Sequence, residues 1–130
     1  MKVLVDTSVW SFALRRHEPS PIADRLAELI VESLVVMIGP VRQELLSGIS
    51  NPTSFEALRD KLQAFEDHAI TAGDYETAAA YYNACRKQGI QGSHVDFLIC
   101  AVSSNNNLLI FTTDQDFTRY AEFLPIRLAQ

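Results

Sequence analysis

Short apolar runs recur along the chain, and segments with helical periodicity separate them. The three clearest runs are Lys2–Asp6 (KVLVD), Leu34–Ile38 (LVVMI) and Leu108–Thr112 (LLIFT), none of which alternates between apolar and polar residues. Continuous apolar strands are typical of parallel sheets that are covered on both faces. We therefore predict these three runs as parallel strands, with a short strand at Ala69–Ile70 and a last strand at Ile126–Leu128.

The segments between the strands carry the caps and the residue spacing of helices. Thr53, with Glu56 in the capping-box position, is the predicted N-cap of a helix that ends at Phe65. The other predicted helices are Ser8–Leu14, Pro21–Ser33, Pro40–Gly48, Asp74–Lys87, His94–Asn105 and Gln115–Glu122. Because strands and helices alternate and crossovers are right-handed, we expect a three-layer α/β/α sandwich with a mostly parallel central sheet.

Length and composition set the expected class of protein. The 130 residues, 48% of them hydrophobic, suffice for one core, so residues 1–130 are predicted to form a single domain. The longest apolar run, Leu34–Ile38, is far too short to cross a bilayer, and we expect a cytoplasmic protein with no membrane partner. Cys85 and Cys100 fall in predicted helices without zinc-type spacing, and we expect both to be reduced core residues.

The net charge of −5 argues against nucleic-acid binding through bulk positive charge. It does not exclude a nuclease, since a cluster of acids can recruit metal ions that then face a phosphate. Two local groups of basic residues are candidates for RNA contact or for ordinary solvated surface. They are Arg15, Arg16 and His17, and then Arg42, Arg86 and Lys87.

Acidic residues follow two of the predicted strands. Asp6 ends the first apolar run, and Asp114 and Asp116 follow the third. Ligand sites in parallel sheets lie beyond the carboxyl ends of the strands, so these side chains are predicted to share one edge. Close carboxylates repel each other unless a cation lies between them. Asp6 has an alternative role as a helix N-cap, as does Thr113 together with Asp116.

Two further acids lie at the boundaries of buried helix faces. Glu44 comes shortly after the second strand, and an alternative reading is a surface acid favoured by the helix dipole. Asp96 borders the apolar face of its helix, although Ser93 and Asp96 also fit a capping box. We take Asp6, Glu44, Asp96 and Asp114 as catalytic metal ligands and Asp116 as an auxiliary ligand. Oxygen ligands favour Mg²⁺, with Mn²⁺ as the other candidate, and the ion can activate a water for phosphodiester cleavage.

The same residues resemble those of the PIN-domain family, in particular the VapC-type toxins of bacterial toxin-antitoxin pairs. The likeness covers essentially the whole chain. It is carried by the opening VDTS, by the acid before Leu45-Leu46, and by the segment Thr112–Phe117 (TTDQDF). A further segment, Asp96–Ala101 (DFLICA), resembles the family's D-x-x-I-x-A pattern.

The resemblance implies a Mg²⁺-dependent endoribonuclease that acts on RNA, forms a homodimer and is held inactive by a small cognate antitoxin. The family's four ligands fall on Asp6, Glu44, Asp96 and Asp114. Hydroxyls of Thr7, Ser8 or Thr112 would assist at the metal or its water.

Two alternative functions use the same residues differently. An aspartyl phosphatase would carry a second Asp two residues after Asp6, where this chain has Ser8. A non-catalytic interaction module of the same fold would use the acids only as helix caps and surface charges. Trp10 and Phe12 are expected in the core or at an interface, with base stacking as the alternative.

Overall fold

A computed structural model describes residues 1–15 and 19–129. Its strands are β1 (Val3–Val5), β2 (Val35–Val36) and β3 (Leu109–Phe111). Its helices are α1 (Thr7–Arg15), α2 (Pro21–Val31), α3 (Gly39–Leu46), α4 (Pro52–Leu62), α5 (Ala72–Lys87), α6 (His94–Asn105) and α7 (Asp116–Tyr120). Of the first basic group, Arg16 and His17 lie outside the described residues. No helix in the described ranges combines the length and the hydropathy needed to span a membrane.

The three strands form a parallel sheet in the order β2-β1-β3. Val3 of β1 lies opposite Val35 on one side and Leu109 on the other, and both pairings are parallel. Helices flank the sheet, so the predicted α/β/α architecture with a parallel centre is confirmed. Since all three strands point the same way, their carboxyl ends lie along one edge, and Asp6 follows directly after β1.

The predictions of strands at Ala69–Ile70 and Ile126–Leu128 are wrong in extent. Residues 69–70 are not a strand, and the chain instead makes an isolated parallel bridge between Asp67 and Met37. The predicted last strand is reduced to one bridge between Leu128 and Ile110. Isolated bridges of this kind add only one or two backbone hydrogen bonds to a sheet edge, which a short apolar run does not distinguish from a full strand.

The N-cap predicted for α4 is also displaced. Asn51 caps this helix by accepting a hydrogen bond from the Ser54 backbone N–H at 3.0 Å, and Pro52 occupies the first helical position. Thr53 is therefore inside the helix, not its cap. Proline fits the first turn because the N–H that it lacks has no partner there in any helix. The helix ends at Leu62, three residues before the predicted end at Phe65.

Hydrogen bonds at the start of α5 join it to the end of α6 and so hold the two helices together as a hairpin. Thr71 and Asp74 form a complete capping box, and Asn105 at the end of α6 donates a hydrogen bond to Asp74 Oδ1 at 2.9 Å. Burial alone would raise the pKa of Asp74, but the hydrogen bonds from Asn105 and Thr71 outweigh it and hold the pKa below its usual value. The ionised carboxylate therefore stabilises the hairpin.

The core fills both faces of the sheet. β1 is buried throughout, and the interior face of α6 contributes Phe97, Ile99 and Cys100. Cys85 and Cys100 are both buried and free, as predicted, and burial raises the pKa of each thiol. Both are therefore protonated core residues at neutral pH.

We expect Asp74→Ala to lower the free energy of unfolding by about 1–2 kcal/mol at pH 7, because it removes a capping acceptor and leaves the Asn105 amide with only its longer contact to the Thr77 hydroxyl. Because the folded pKa is depressed, this contribution is present above the usual value of 3.8 and is lost as the pH falls through the folded pKa. Urea unfolding at pH 7 and at acidic pH measures both effects.

A matched control is Asp24→Ala, which removes an exposed acid from the first turn of α2. Asp24, like Asp74, interacts favourably with the dipole at the start of its helix, but it makes no contact across the α5–α6 hairpin. Equal destabilisation by the two variants would show that neither the capping bond to Thr71 nor the contact with Asn105 contributes.

Candidate metal centre

Asp6 is the buried acid at the centre of the candidate site. It follows β1 and is only 5% exposed. Its Oδ2 accepts hydrogen bonds from the hydroxyls of Ser8 at 2.7 Å and Thr112 at 2.8 Å. The start of α1 uses the backbone carbonyl of Asp6, which accepts from Val9 N–H at 3.1 Å. The Asp6 carboxylate therefore binds the two hydroxyls, and it is the backbone carbonyl of Asp6 that accepts the hydrogen bond at the start of α1.

The same hydroxyls join the loop after β3 to the first turn of α1. Thr113 N–H donates to Ser8 Oγ at 3.0 Å, and Asp114 N–H donates to Thr112 Oγ1 at 3.0 Å. Asp114 Oδ1 in turn accepts from Asp116 N–H at 2.9 Å. Asp114 therefore stabilises the turn that leads into α7, whose N-cap residue is Gln115, and the predicted capping role of Thr113 is wrong. Asp116 is exposed in the first turn of α7.

Glu44 reaches the same region from α3, which packs against α1. Its Oε1 accepts a hydrogen bond from the Thr7 hydroxyl at 2.7 Å. Thr7 is the residue directly after Asp6, so the contact ties the exposed Glu44 to the edge of the sheet. Without such a donor a long exposed glutamate would keep most of its rotamer freedom.

Asp96 enters from the first turn of α6. Ser93 caps this helix by accepting from Asp96 N–H at 3.1 Å. Asp96 Oδ2 accepts instead from the hydroxyl of Tyr120, at the end of α7, at 2.7 Å. The predicted capping role is therefore carried by Ser93, and the Asp96 carboxylate is directed towards α7 and the sheet edge.

Electrostatics place three of these acids in one neighbourhood. The pKa of Asp96 is raised, first by burial and then by the negative charges of Asp6 and Asp114, while hydrogen bonds from Tyr120 and Ser93 oppose the rise. The pKa of the Tyr120 hydroxyl is raised by burial, by Asp96, and further by Asp116 and Asp114. The carboxylates therefore repel one another across the site, as predicted for acids at one sheet edge.

No Lys or Arg in the described ranges forms an ion pair with these acids. The ion pairs found there join Arg25 to Glu28, Arg42 to Asp67 and Arg59 to Asp60. A cluster of acids without a positive partner favours a bound cation, and a donor set of oxygen atoms fits Mg²⁺ or Mn²⁺. Within residues 1–15 and 19–129, no three His, Cys, Asp or Glu side chains lie close enough together to hold a metal ion as these side chains stand.

Tyr120 is the site residue that sequence reasoning missed. It follows the acidic segment by only a few positions, but nothing in its spacing points to Asp96, which lies 24 residues earlier. Trp10 belongs to the core, as expected. Its ring is 3% exposed and packs edge-on against Phe65, with ring centroids 5.1 Å apart. Base stacking by Trp10 is thereby excluded in this conformation.

Comparison with known proteins gives a consistent family and fold. A family model described as PIN domain matches residues 3–123. The structure is similar to FitAcB from Neisseria gonorrhoeae, with a TM-score of 0.77 and 20% identity over 98% of this chain and 96% of that chain. It is also similar to VapBC2 from Rickettsia felis bound to a promoter DNA fragment, with a TM-score of 0.80 and 18% identity over 99% of this chain and 98% of that chain.

A third similar structure is DNA-bound VapBC from Salmonella typhimurium, with a TM-score of 0.77 and 17% identity over 99% of this chain and 97% of that chain. Identities at this level establish a shared fold across nearly the whole length of these chains.

We expect Asp96→Asn to be more stable than the wild type at pH 7 in EDTA. Because the folded pKa of Asp96 is raised, its contribution to stability is fully present below 3.8 and is lost as the pH rises through the folded pKa. The neutral amide avoids that loss. Urea midpoints should therefore favour the variant at pH 7 and converge in acid.

Mn²⁺ should reverse this order. An ion at 100 times its dissociation constant adds about 2.7 kcal/mol to the wild type and little to Asp96→Asn. Asp24→Asn, the same change at an exposed position, serves as the control and should follow the wild type. Equal Mn²⁺ stabilisation of wild type and Asp96→Asn would remove Asp96 from the site.

Proposed function

The chain belongs to the PIN-domain family, and on that premise we propose that it is a Mg²⁺-dependent endoribonuclease, the toxin of a toxin-antitoxin pair. Mn²⁺ is expected to replace Mg²⁺. The proposed reaction is hydrolysis of an RNA phosphodiester bond by water, with no covalent intermediate on the protein. As a toxin acting on cellular RNA, the protein would work in the cytoplasm.

The observation that carries this proposal is the buried carboxylate of Asp6 with two further acids around it. Asp6 is held by two hydroxyls at the carboxyl end of β1, and the charges of Asp6 and Asp114 both act on Asp96. Keeping like charges together is unfavourable unless they bind a cation. Stability of the fold alone gives no reason for such an arrangement, so a ligand-binding role accounts for it best.

Asp6, Glu44, Asp96 and Asp114 would hold the metal ion, with Asp116 at the rim. When bound, the ion supplies an activated water and positive charge opposite the phosphate. The chain itself orients the ligands: Ser8 and Thr112 fix the Asp6 carboxylate, and Thr7 fixes Glu44. The exposed Asp116 carboxylate at the rim would be the acid available to accept a proton from the attacking water.

The proposed regulator is a small cognate antitoxin that covers this edge of the sheet. Support comes from the fold, because it is also similar to a toxin-antitoxin complex from Klebsiella pneumoniae, with a TM-score of 0.64 and 18% identity over 89% of this chain and 90% of that chain. The Glu44 and Asp116 side chains are exposed, so a protein segment can reach the acids from solvent.

The proposed homodimer uses the outer side of the α5–α6 hairpin. Tyr75 on α5 is 53% exposed beside a depression of about 320 Å³ whose lining is almost wholly apolar. Its lining includes Ala78, Ala79, Tyr82, Phe97 and Leu98. An exposed apolar surface of this kind is typical of a protein interface.

We expect wild-type protein to cut purified tRNAs or total RNA at discrete sites with Mg²⁺ or Mn²⁺ and not with EDTA. Asp6→Asn should reduce the cleavage rate by at least about 100-fold, since even the outer partners of metal ligands contribute 10- to 100-fold. Asp24→Asn is the matched control and should cleave at the wild-type rate. Product patterns on a sequencing gel give the readout.

Two results would contradict the proposed activity. Cleavage that persists in EDTA and in Asp6→Asn would place the active site elsewhere. Absence of cleavage by folded wild-type protein, freed of any antitoxin, would favour the non-catalytic interaction module.

The dimer surface has its own test. Size-exclusion chromatography with light scattering should give twice the chain mass of 14.5 kDa for the wild type and a single chain for Tyr75→Arg. Phe123→Arg alters another exposed aromatic residue, 45% exposed and outside the hairpin, and should remain dimeric. A monomeric wild type, or a dimer in Tyr75→Arg, would exclude this interface.

A further inference from the structure

We propose that Tyr120 is a positioning residue of the candidate metal centre: its buried hydroxyl holds one oxygen of Asp96 so that the other serves the metal, and Gly92 provides the room that its ring needs. This inference rests on the proposed function, since it assigns Asp96 as a metal ligand. It adds two residues, neither of them acidic, to the machinery of the site.

Tyr120 buries a hydroxyl that the core does not require. Tyr120 has no exposed surface, and its hydroxyl donates to Asp96 Oδ2 at 2.7 Å. Phenylalanine would bury nearly the same apolar area without any polar atom to satisfy. The tyrosine hydroxyl is therefore explained by its partner, the Asp96 carboxylate, and not by packing.

The aromatic ring of Tyr120 is held by its neighbours. Phe97 and Phe117 lie with their ring centroids 5.1 and 5.2 Å from that of Tyr120, one tilted and one edge-on. Packing on two sides leaves the ring little freedom to move in a close-packed core. The hydroxyl is thus a fixed donor, and the carboxylate that accepts from it is fixed as well.

Gly92 leaves the space that the ring of Tyr120 occupies. Among the described glycines, those with positive φ are Gly48 and Gly89, so the backbone at Gly92 does not itself call for glycine. A Cβ at this position would lie 2.9 Å from Tyr120 Cζ and 3.0 Å from Phe97 Cε2, and closer still to the Tyr120 hydroxyl. The absence of a side chain at residue 92 is therefore a requirement of the Tyr120–Asp96 contact.

The contact with Tyr120 fixes the orientation of the Asp96 carboxylate. Tyr120 engages Oδ2, which leaves Oδ1 as the oxygen that faces a cation. Partners that orient metal-binding carboxylates in this way typically contribute 10- to 100-fold to metal affinity. Tyr120 touches neither substrate nor water in this assignment and acts only through Asp96.

The test is Mn²⁺ binding to the full-length chain, measured by electron paramagnetic resonance of the free ion, for wild type, Tyr120→Phe and Tyr81→Phe. Tyr81→Phe is the matched control, because it removes a hydroxyl that contacts Ser104 at 2.8 Å on the helical hairpin. We expect about 10-fold weaker Mn²⁺ binding in Tyr120→Phe and unchanged binding in Tyr81→Phe. Circular dichroism verifies that both variants are folded.

The outcomes separate this inference from the proposed function. Wild-type affinity in Tyr120→Phe, with the wild type binding Mn²⁺ and cleaving RNA, would overturn the role of Tyr120 alone. Failure of the wild type to bind Mn²⁺ would overturn the metal centre and the role of Tyr120 together. Equal losses in Tyr120→Phe and Tyr81→Phe would show a general effect of lost hydroxyls and would also overturn it.

Gly92→Ala tests the same contact from the other side. It should weaken Mn²⁺ binding by displacing the ring, and the double variant Gly92→Ala/Tyr120→Phe should bind no more weakly than Tyr120→Phe. Residues that act through one contact are expected to be non-additive in this way. Losses that multiply in the double variant would show that Gly92 acts independently of Tyr120.

Discussion

Concentration of negative charge at one end of a parallel sheet is the constraint on which this structure depends. The sheet order β2-β1-β3 brings the loops after its strands to a common edge, where the charges of Asp6 and Asp114 act on Asp96. Hydroxyl groups hold the carboxylates of Asp6, Glu44 and Asp96, and a backbone N–H holds that of Asp114. They fix geometry without neutralising charge, so the affinity for an external cation is preserved.

Much of this arrangement could be predicted from sequence because its signals are local. Apolar runs without alternation mark buried parallel strands, and an acid directly after such a run must stand at the sheet edge. The position of Asp6 and Asp114 at the sheet edge follows from that pattern. The helical spacing places Asp96 at the boundary of a buried face, and its predicted capping role is wrong because Ser93 alone completes the cap.

The features that were missed depend on tertiary contacts or on small energy differences. Asn51 displaces Thr53 as the cap of α4 because Pro52 prefers the first helical position, a choice between neighbours only two residues apart. Residues 69–70 have strand-like character, yet the chain pairs at Asp67 instead. Tyr120 contacts Asp96 across two helices, and Gly92 is explained only by the ring beside it.

The anchoring of α6 at both ends has a consequence for the response of the candidate site to heating. Ser93 caps its first turn and Tyr120 ties that turn to α7, while Asn105 ties its last residue to the start of α5. Loosening of either contact would shift Asp96 relative to Asp6, Glu44 and Asp114, so the geometry of the candidate site would be lost before the core melts.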